Sequence, residues 1–304
     1  MGLAASEFIL NPDGSIYHLQ LKPEQLANTV ITVGDPDRVD LVTQYFDEVE
    51  FSIKKREFHT QTGTLNGQRI TVISTGIGTD NIDIVLNELD ALVNIDFETR
   101  KVKEDLSSLN IIRIGTSGSI QKDVPLNSFL ISEMAVGLDS LLNFYECGTE
   151  LNRGLSDAFV KHTNWHVEKS VPYAVSCDDN LKHILASEKT HLGITATNVG
   201  FYGPQGRILR LALQDGEMNS KLSSFSYEGK RITNLEMETS GIYGLSKLLG
   251  HRAISMNAIV ANRASGTFSE DSAALIDSLI KYTLERISQP DFNRKLESKT
   301  YANS

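Results

Sequence analysis

The stretch NIIRIGTSGSI (110–120) opens as a buried strand, with Ile111, Ile112 and Ile114 β-branched and apolar. Arg113 then stands among them, and the run ends in Gly-Thr-Ser-Gly. A guanidinium keeps its proton inside a protein, so a buried one needs an anionic partner. That partner is either a structural carboxylate or a bound phosphate or carboxylate, which the planar fork of arginine suits. With a phosphate, Thr116 and the backbone amides of 115–118 complete an anion cup.

Six further runs read as strands: 29–34, 69–75, 128–136, 193–199, 231–237 and 252–261. Helical periodicity lies between several of them. In 80–95, Ile82, Val85, Leu86, Leu89, Leu92 and Val93 share one face, and Asp80 is the expected N-cap. Further helices are predicted at 205–214, 238–249 and 271–288. Strands alternating with helices predict an α/β fold, a single three-layer αβα sandwich around a mostly parallel or mixed sheet. No repeat or linker divides the chain, so residues 1–304 read as one domain. Its core spans about 17–290, between an N-terminal extension and a frayed C-terminal tail from residue 290. Segment 97–108 is charged and reads as a surface extension.

The 304 residues carry 29 Lys and Arg against 39 Asp and Glu, a formal charge of −10. No basic cluster offers a face to nucleic acid. No run of apolar residues is long enough for a membrane span, and no secretory leader pattern opens the chain. Cys147 and Cys177 are the only cysteines, as expected of packing residues in a reducing, cytoplasmic setting. The predicted partner is a small molecule.

In sheets of this kind, ligands sit at the carboxyl ends of the strands. VGDPDR (33–38) ends one strand with Gly34 and starts a helix whose first turn brings Arg38, a pattern suited to an anion. STGIGTD (74–80) lacks the third glycine of a dinucleotide fingerprint and reads as a tight turn. NLEMETSGIYG (234–244) places Glu236 and Glu238 two apart around Met237, able to grip vicinal hydroxyls or to enrich a helix start in acids. FYGPQGR (201–207) sets Phe201, Gln205 and Arg207 together, an aromatic face with donors and an acceptor for an imide edge. His162 and His166 share i, i+4 spacing without a carboxylate motif, and read as surface or packing residues. His18 carries no signal alone, and Arg56 belongs to a solvated charge run.

Taken in order, VGDPDRV, REF, STGIG, IIRIGTSGSI, FYGPQGR, NLEMET and IVANR resemble the nucleoside phosphorylase family, and within it the uridine phosphorylases. The resemblance covers residues 17 to 265. It implies reversible phosphorolysis of uridine to uracil and ribose 1-phosphate, with inorganic phosphate as co-substrate and no required cofactor. It implies that Gly34, Arg38, Arg113 and Thr116 bind phosphate, with Arg56 reaching the phosphate of a neighbouring subunit. Glu236, Met237 and Glu238 fall to the ribose, with His18 approaching the adjacent subunit's nucleoside. Phe201 flanks the base, Gln205 and Arg207 hydrogen-bond uracil, and Arg263 belongs to a lid. Glu57 and Ser74 join a monovalent cation site, potassium for instance, between subunits of a homo-oligomer, a dimer or hexamer.

Purine-specific members carry an Asp after the late strand, where this sequence has Asn262 and Arg263, which favours a pyrimidine. The alternatives are a purine nucleoside phosphorylase, a hydrolytic nucleosidase, or a silent nucleoside-binding protein on the same fold. The intact set of Arg38, Arg113, Gln205, Arg207 and Glu238 speaks against the last.

Overall fold

The computed structural model describes residues 2–297. Fourteen strands occur among them: β1 (Thr29–Val33), β2 (Glu48–Lys55), β3 (Phe58–Leu65), β4 (Gln68–Ser74), β5 (Ile95–Asp96), β6 (Lys101–Val102), β7 (Asn110–Ser119), β8 (Phe129–Gly137), β9 (Tyr173–Ser176), β10 (Thr190–Thr197), β11 (Ser226–Tyr227), β12 (Lys230–Glu236), β13 (Arg252–Asn262) and β14 (Thr267–Phe268). The helices are α1 (Asp37–Thr43), α2 (Thr79–Asn94), α3 (Arg153–Thr163), α4 (Asp179–Leu185), α5 (Met218–Ser224), α6 (Thr239–Leu248), α7 (Ser272–Ile287) and α8 (Phe292–Glu297).

All seven strands expected from β-branched runs are present, in one mixed sheet ordered β11-β12-β10-β8-β13-β7-β1-β4-β3-β2. β1 runs parallel to β4 and β7, β13 to β7, and β10 to β8 and β12. One further pairing matters most for function. β12 also lies antiparallel to the end of β7, Asn234 opposite Ser119 and Leu235 opposite Gly118. The sheet therefore curls back on itself, and the carboxyl end of β12 arrives beside the carboxyl end of β7.

Burial holds the layers together. Val30, Val72, Ile112 and Ile254 of the sheet share one apolar cluster with Val39, Leu86, Ile242 and Leu279 of α1, α2, α6 and α7. A second cluster packs Val136, Ile194 and Ile232 against Leu155, Phe159 and Leu222 of α3 and α5. Each fully buried Leu, Ile or Val contributes about 1.5–3 kcal/mol relative to exposure. On α2, Ile82, Val85, Leu86, Leu89 and Leu92 face inward as their spacing predicts, with Val93 only partly covered.

Three expectations are corrected. The N-cap of α2 is Gly78, not Asp80, because the positive φ of Gly78 (98°) turns the chain two residues earlier. No α-helix covers 205–214; Pro204 and the left-handed Gly206 limit order there to a 3₁₀ turn at Gly203–Gln205. His162 and His166 are exposed, as the surface reading expects, with α3 ending at Thr163 between them. The tail from 290 is not frayed throughout: α8 buries Phe292 and Leu296, and Asn180 donates to the Leu296 carbonyl (3.0 Å). Residue 1 and the rest of that tail, 298–304, lie outside the described residues. The charged 97–108 segment is largely exposed and ties down the N-terminal extension, Arg100 donating to the Leu3, Ala4 and Phe8 carbonyls.

Candidate active site

Arg113 sits inside β7 between Thr32 of β1 and Ser255 of β13, and is 6% exposed. Its side chain folds forward along its own strand to the place where a Cβ on residue 115 would stand, so only Gly115 leaves room for the guanidinium. From there Nη2 donates to Glu238 Oε2 (2.6 Å) and Nη1 to Asn257 Oδ1 (3.1 Å), with Glu236 Oε2 3.4 Å from Nη2. The structural-carboxylate alternative therefore holds: Arg113 pairs with Glu238 and Glu236. Burial works against the Arg113 charge, but Glu236 and Glu238 outweigh it and raise the pKa. Asn257, a lone amide within the apolar run of β13, is the signal that sequence reading passed over.

Glu238 stands at the N-cap of α6, and its Oε1 accepts from the Gly78 amide (2.9 Å). That bond explains the glycines of 74–80: Gly76 (φ 70°) and Gly78 (φ 98°) bend the chain so that an amide meets the carboxylate. Burial pushes the Glu238 carboxyl up, by more than Arg113 and the Gly78 amide pull it down.

Arg38 follows Gly34 on the first turn of α1, half-buried, with Nη1 within 3.5 Å of the Ile114 carbonyl. Burial first, and then the nearby Arg113 charge, depress its pKa. Two guanidiniums facing one space, with α1 beginning at the same point, form an electrostatic trap for an anion.

Both arginines line a cavity of about 740 Å³ with Gly34, Glu57 and Thr116. Glu236, Met237 and Glu238 form another part of its wall, and Phe201, Gln205 and Arg207 a third. Gln205 is buried, and its Oε1 accepts from Arg207 Nη1 (2.7 Å). The Arg207 guanidinium also lies 3.7 Å from the Phe201 ring centroid and donates to the Phe201 carbonyl (2.5 Å). Phe201 thus carries Arg207 on one face, and burial lowers the Arg207 pKa. Arg263 does not line the cavity; it donates to the Gln205 carbonyl from outside and steadies that turn.

Three other expected residues also lie off this wall. His18 pairs with Glu88 of α2 (Nδ1 to Oε1, 2.7 Å). Arg56 is exposed at the β2–β3 turn. Ser74 is buried, its hydroxyl donating to the Glu57 carbonyl (2.6 Å) and accepting from the His59 amide (2.7 Å). Ile77, Asn81, Leu235, Val260, Ala261 and Phe268 also line the wall without having been singled out in the sequence. Most of them are apolar, and neighbours in space rather than in sequence chose them.

Residues 28–285 match the family model described as Phosphorylase superfamily. A uridine phosphorylase of Thermococcus kodakarensis is 31% identical over 279 residues, 88% of this chain and 85% of that protein. A DeoD-type purine nucleoside phosphorylase of Bacillus subtilis is 26% identical over 284 residues, 90% of this chain and 99% of that one. Among solved structures, a Trypanosoma brucei nucleoside phosphorylase described as showing uridine phosphorylase activity superposes with a TM-score of 0.84 at 31% identity. That superposition covers 93% of this chain and 100% of the other. The fold is thus shared with a solved nucleoside phosphorylase, and this chain belongs to the phosphorylase superfamily.

Proposed function

We propose that this enzyme is a uridine phosphorylase, cleaving uridine with inorganic phosphate to uracil and ribose 1-phosphate, and running in reverse as well. One observation carries the reading: a single cavity is walled by the Arg38–Arg113 pair, by Glu238 and Met237, and by the Gln205–Arg207 pair. Phosphate is held by Gly34, Arg38, Arg113 and Thr116, and ribose by Met237 and Glu238. Bond breaking proceeds towards a ribosyl oxocarbenium ion, whose positive charge the neighbouring phosphate offsets. The departing uracil gains negative charge on its carbonyls. Arg207 and the Gln205 amide stabilise that charge more in the transition state than in the ground state.

A pyrimidine is favoured over a purine because Asn262, an amide, stands after the late strand where purine-specific members carry an Asp. Asn262 spends its amide on the Gln121 and Val124 carbonyls (3.0 and 2.9 Å) and its oxygen on the Ala264 and Ser265 amides (2.9 and 3.1 Å). The test is base release from uridine, thymidine and inosine, with and without phosphate. Phosphate-dependent uracil release is expected. Release without phosphate, or a preference for inosine, would overturn the reading.

The active unit is a homo-oligomer in the cytoplasm, in which His18 and Arg56 serve a neighbouring subunit's site. Their position off their own cavity supports this, as do two free, buried cysteines. A potassium ion at Glu57 and Ser74 belongs to the same subunit boundary. Light scattering that finds a fully active monomer, or activity equal in potassium and choline chloride, would remove these two elements.

A further inference from the structure

Glu236 and Glu238 reach the same guanidinium, but their other contacts differ. Glu236 Oε1 accepts from the Thr197 hydroxyl (2.6 Å). Its Oε2 accepts from the Glu238 amide, the Thr239 amide and the Thr239 hydroxyl, each at 2.9 Å. A carboxylate has about four lone-pair sites. Three of its four hydrogen bonds, and the Arg113 charge at 3.4 Å, crowd onto Oε2, while Oε1 takes the fourth. Glu238 accepts only two, one on each oxygen, from the Gly78 amide and Arg113. A sugar hydroxyl therefore finds acceptor capacity on both oxygens of Glu238, but on Glu236 only on Oε1, beside the Thr197 hydroxyl, because Oε2 is saturated.

The donors to Glu236 are themselves held. Thr197 accepts from the Ser240 amide (3.0 Å), and the Ser240 hydroxyl joins Tyr173 and Asp139 (3.0 and 3.3 Å). Thr239 also touches the Ser255 hydroxyl (2.9 Å), beside the Arg113 guanidinium. One carboxylate thus ties the first amides of α6, the end of β10 and the guanidinium on β7 to one another.

We infer that Glu236 is a positioning residue rather than a ribose ligand: it fixes Arg113 against the backbone of Glu238, so that the phosphate site is assembled before substrate arrives. The inference rests on the phosphorolysis reading, and refines it for this one residue.

The test uses Glu236→Gln and Thr239→Val. Calorimetry measures phosphate binding directly, and kinetics compare uridine with 2′-deoxyuridine. Both variants are expected to weaken phosphate binding by about tenfold, the scale of one hydrogen bond to a charged group. The loss should be equal for the two nucleosides, with little change in nucleoside KM. A loss confined to uridine would make Glu236 a ribose ligand and overturn the inference, as would unchanged phosphate affinity. Thr239→Val retains the Glu236 charge and alters no cavity wall, so it decides the matter even if Glu236→Gln does not fold. Phosphate binding is read without turnover. A wild-type chain inactive on uridine therefore refutes the proposed function, while unaltered phosphate affinity in the variants refutes only the role of Glu236.

Discussion

Where β7 and β12 meet, the charged groups of the cavity wall are buried and bonded to one another: Arg113 and Glu238 are each 6% exposed. The segment carrying Gln205 and Arg207 is the opposite. Phe201 and Tyr202 are more than half exposed, and Leu209 and Leu211 about three-quarters. Only a 3₁₀ turn and a few side-chain bonds to backbone carbonyls order the chain there. One half of the cavity is thus built into the sheet, and the other is draped over it. Substitutions in a draped loop cost little stability, so base preference is free to change while the phosphate and ribose half stays constant. Relatives named for uridine and for purine nucleosides on one shared fold accord with that division.

The largest expected effect tests the built half. Arg113→Ala leaves Glu236 and Glu238 without their counter-ion, and should lower stability by about 3–5 kcal/mol. It should also cut kcat/KM by roughly a thousandfold through the lost anion contact. Denaturant unfolding and phosphate-dependent kinetics read the two losses. A stable variant with normal phosphate KM would break the comparison.

Next in size is Arg207→Ala on the draped half. Turnover with uridine should fall by about a hundredfold while the unfolding midpoint stays within the ordinary range of a surface substitution, about 0.5 kcal/mol. Unchanged turnover would remove Arg207 from leaving-group stabilisation. A large loss of stability would show that the loop is not draped at all.

The smallest effect is in pH. Burial raises the Glu238 pKa, so its protonation begins at a higher pH than for an ordinary carboxylate. Protonation removes the negative charge that holds Arg113. As pH falls, kcat/KM should therefore decline earlier than an unperturbed Glu would dictate. Arg207→Ala should keep that acid limb at the same position, because the draped half supplies no carboxyl to the wall. A limb that moves with Arg207→Ala would couple the two halves.

Much of this was legible beforehand. The seven main strands and the helices α2, α6 and α7 follow from β-branched runs and 3.6-residue spacing, which act through near neighbours. Arg38, Arg113, Gln205, Arg207 and Glu238 stood out because polar groups at strand ends conflict with a buried fold unless they serve a ligand. The β2–β3 hairpin was missed because its outer strand is exposed on alternate residues and carries charge. The helix predicted over 205–214 does not form because Pro204 and the left-handed Gly206 stop the chain at a 3₁₀ turn.

Composition, periodicity and motif order were enough to determine the α/β class, the principal elements and two arginines that line the cavity, since each depends on residues close together in the chain. Only the tertiary structure decided which groups those arginines meet. Arg113 and Glu238 are 125 positions apart, and become partners because β12 closes onto β7 and Gly115 leaves the guanidinium a place to lie. The division of labour between Glu236 and Glu238 was hidden for the same reason: hydrogen-bond capacity is spent by neighbours in space, and no spacing along a sequence records how much is left.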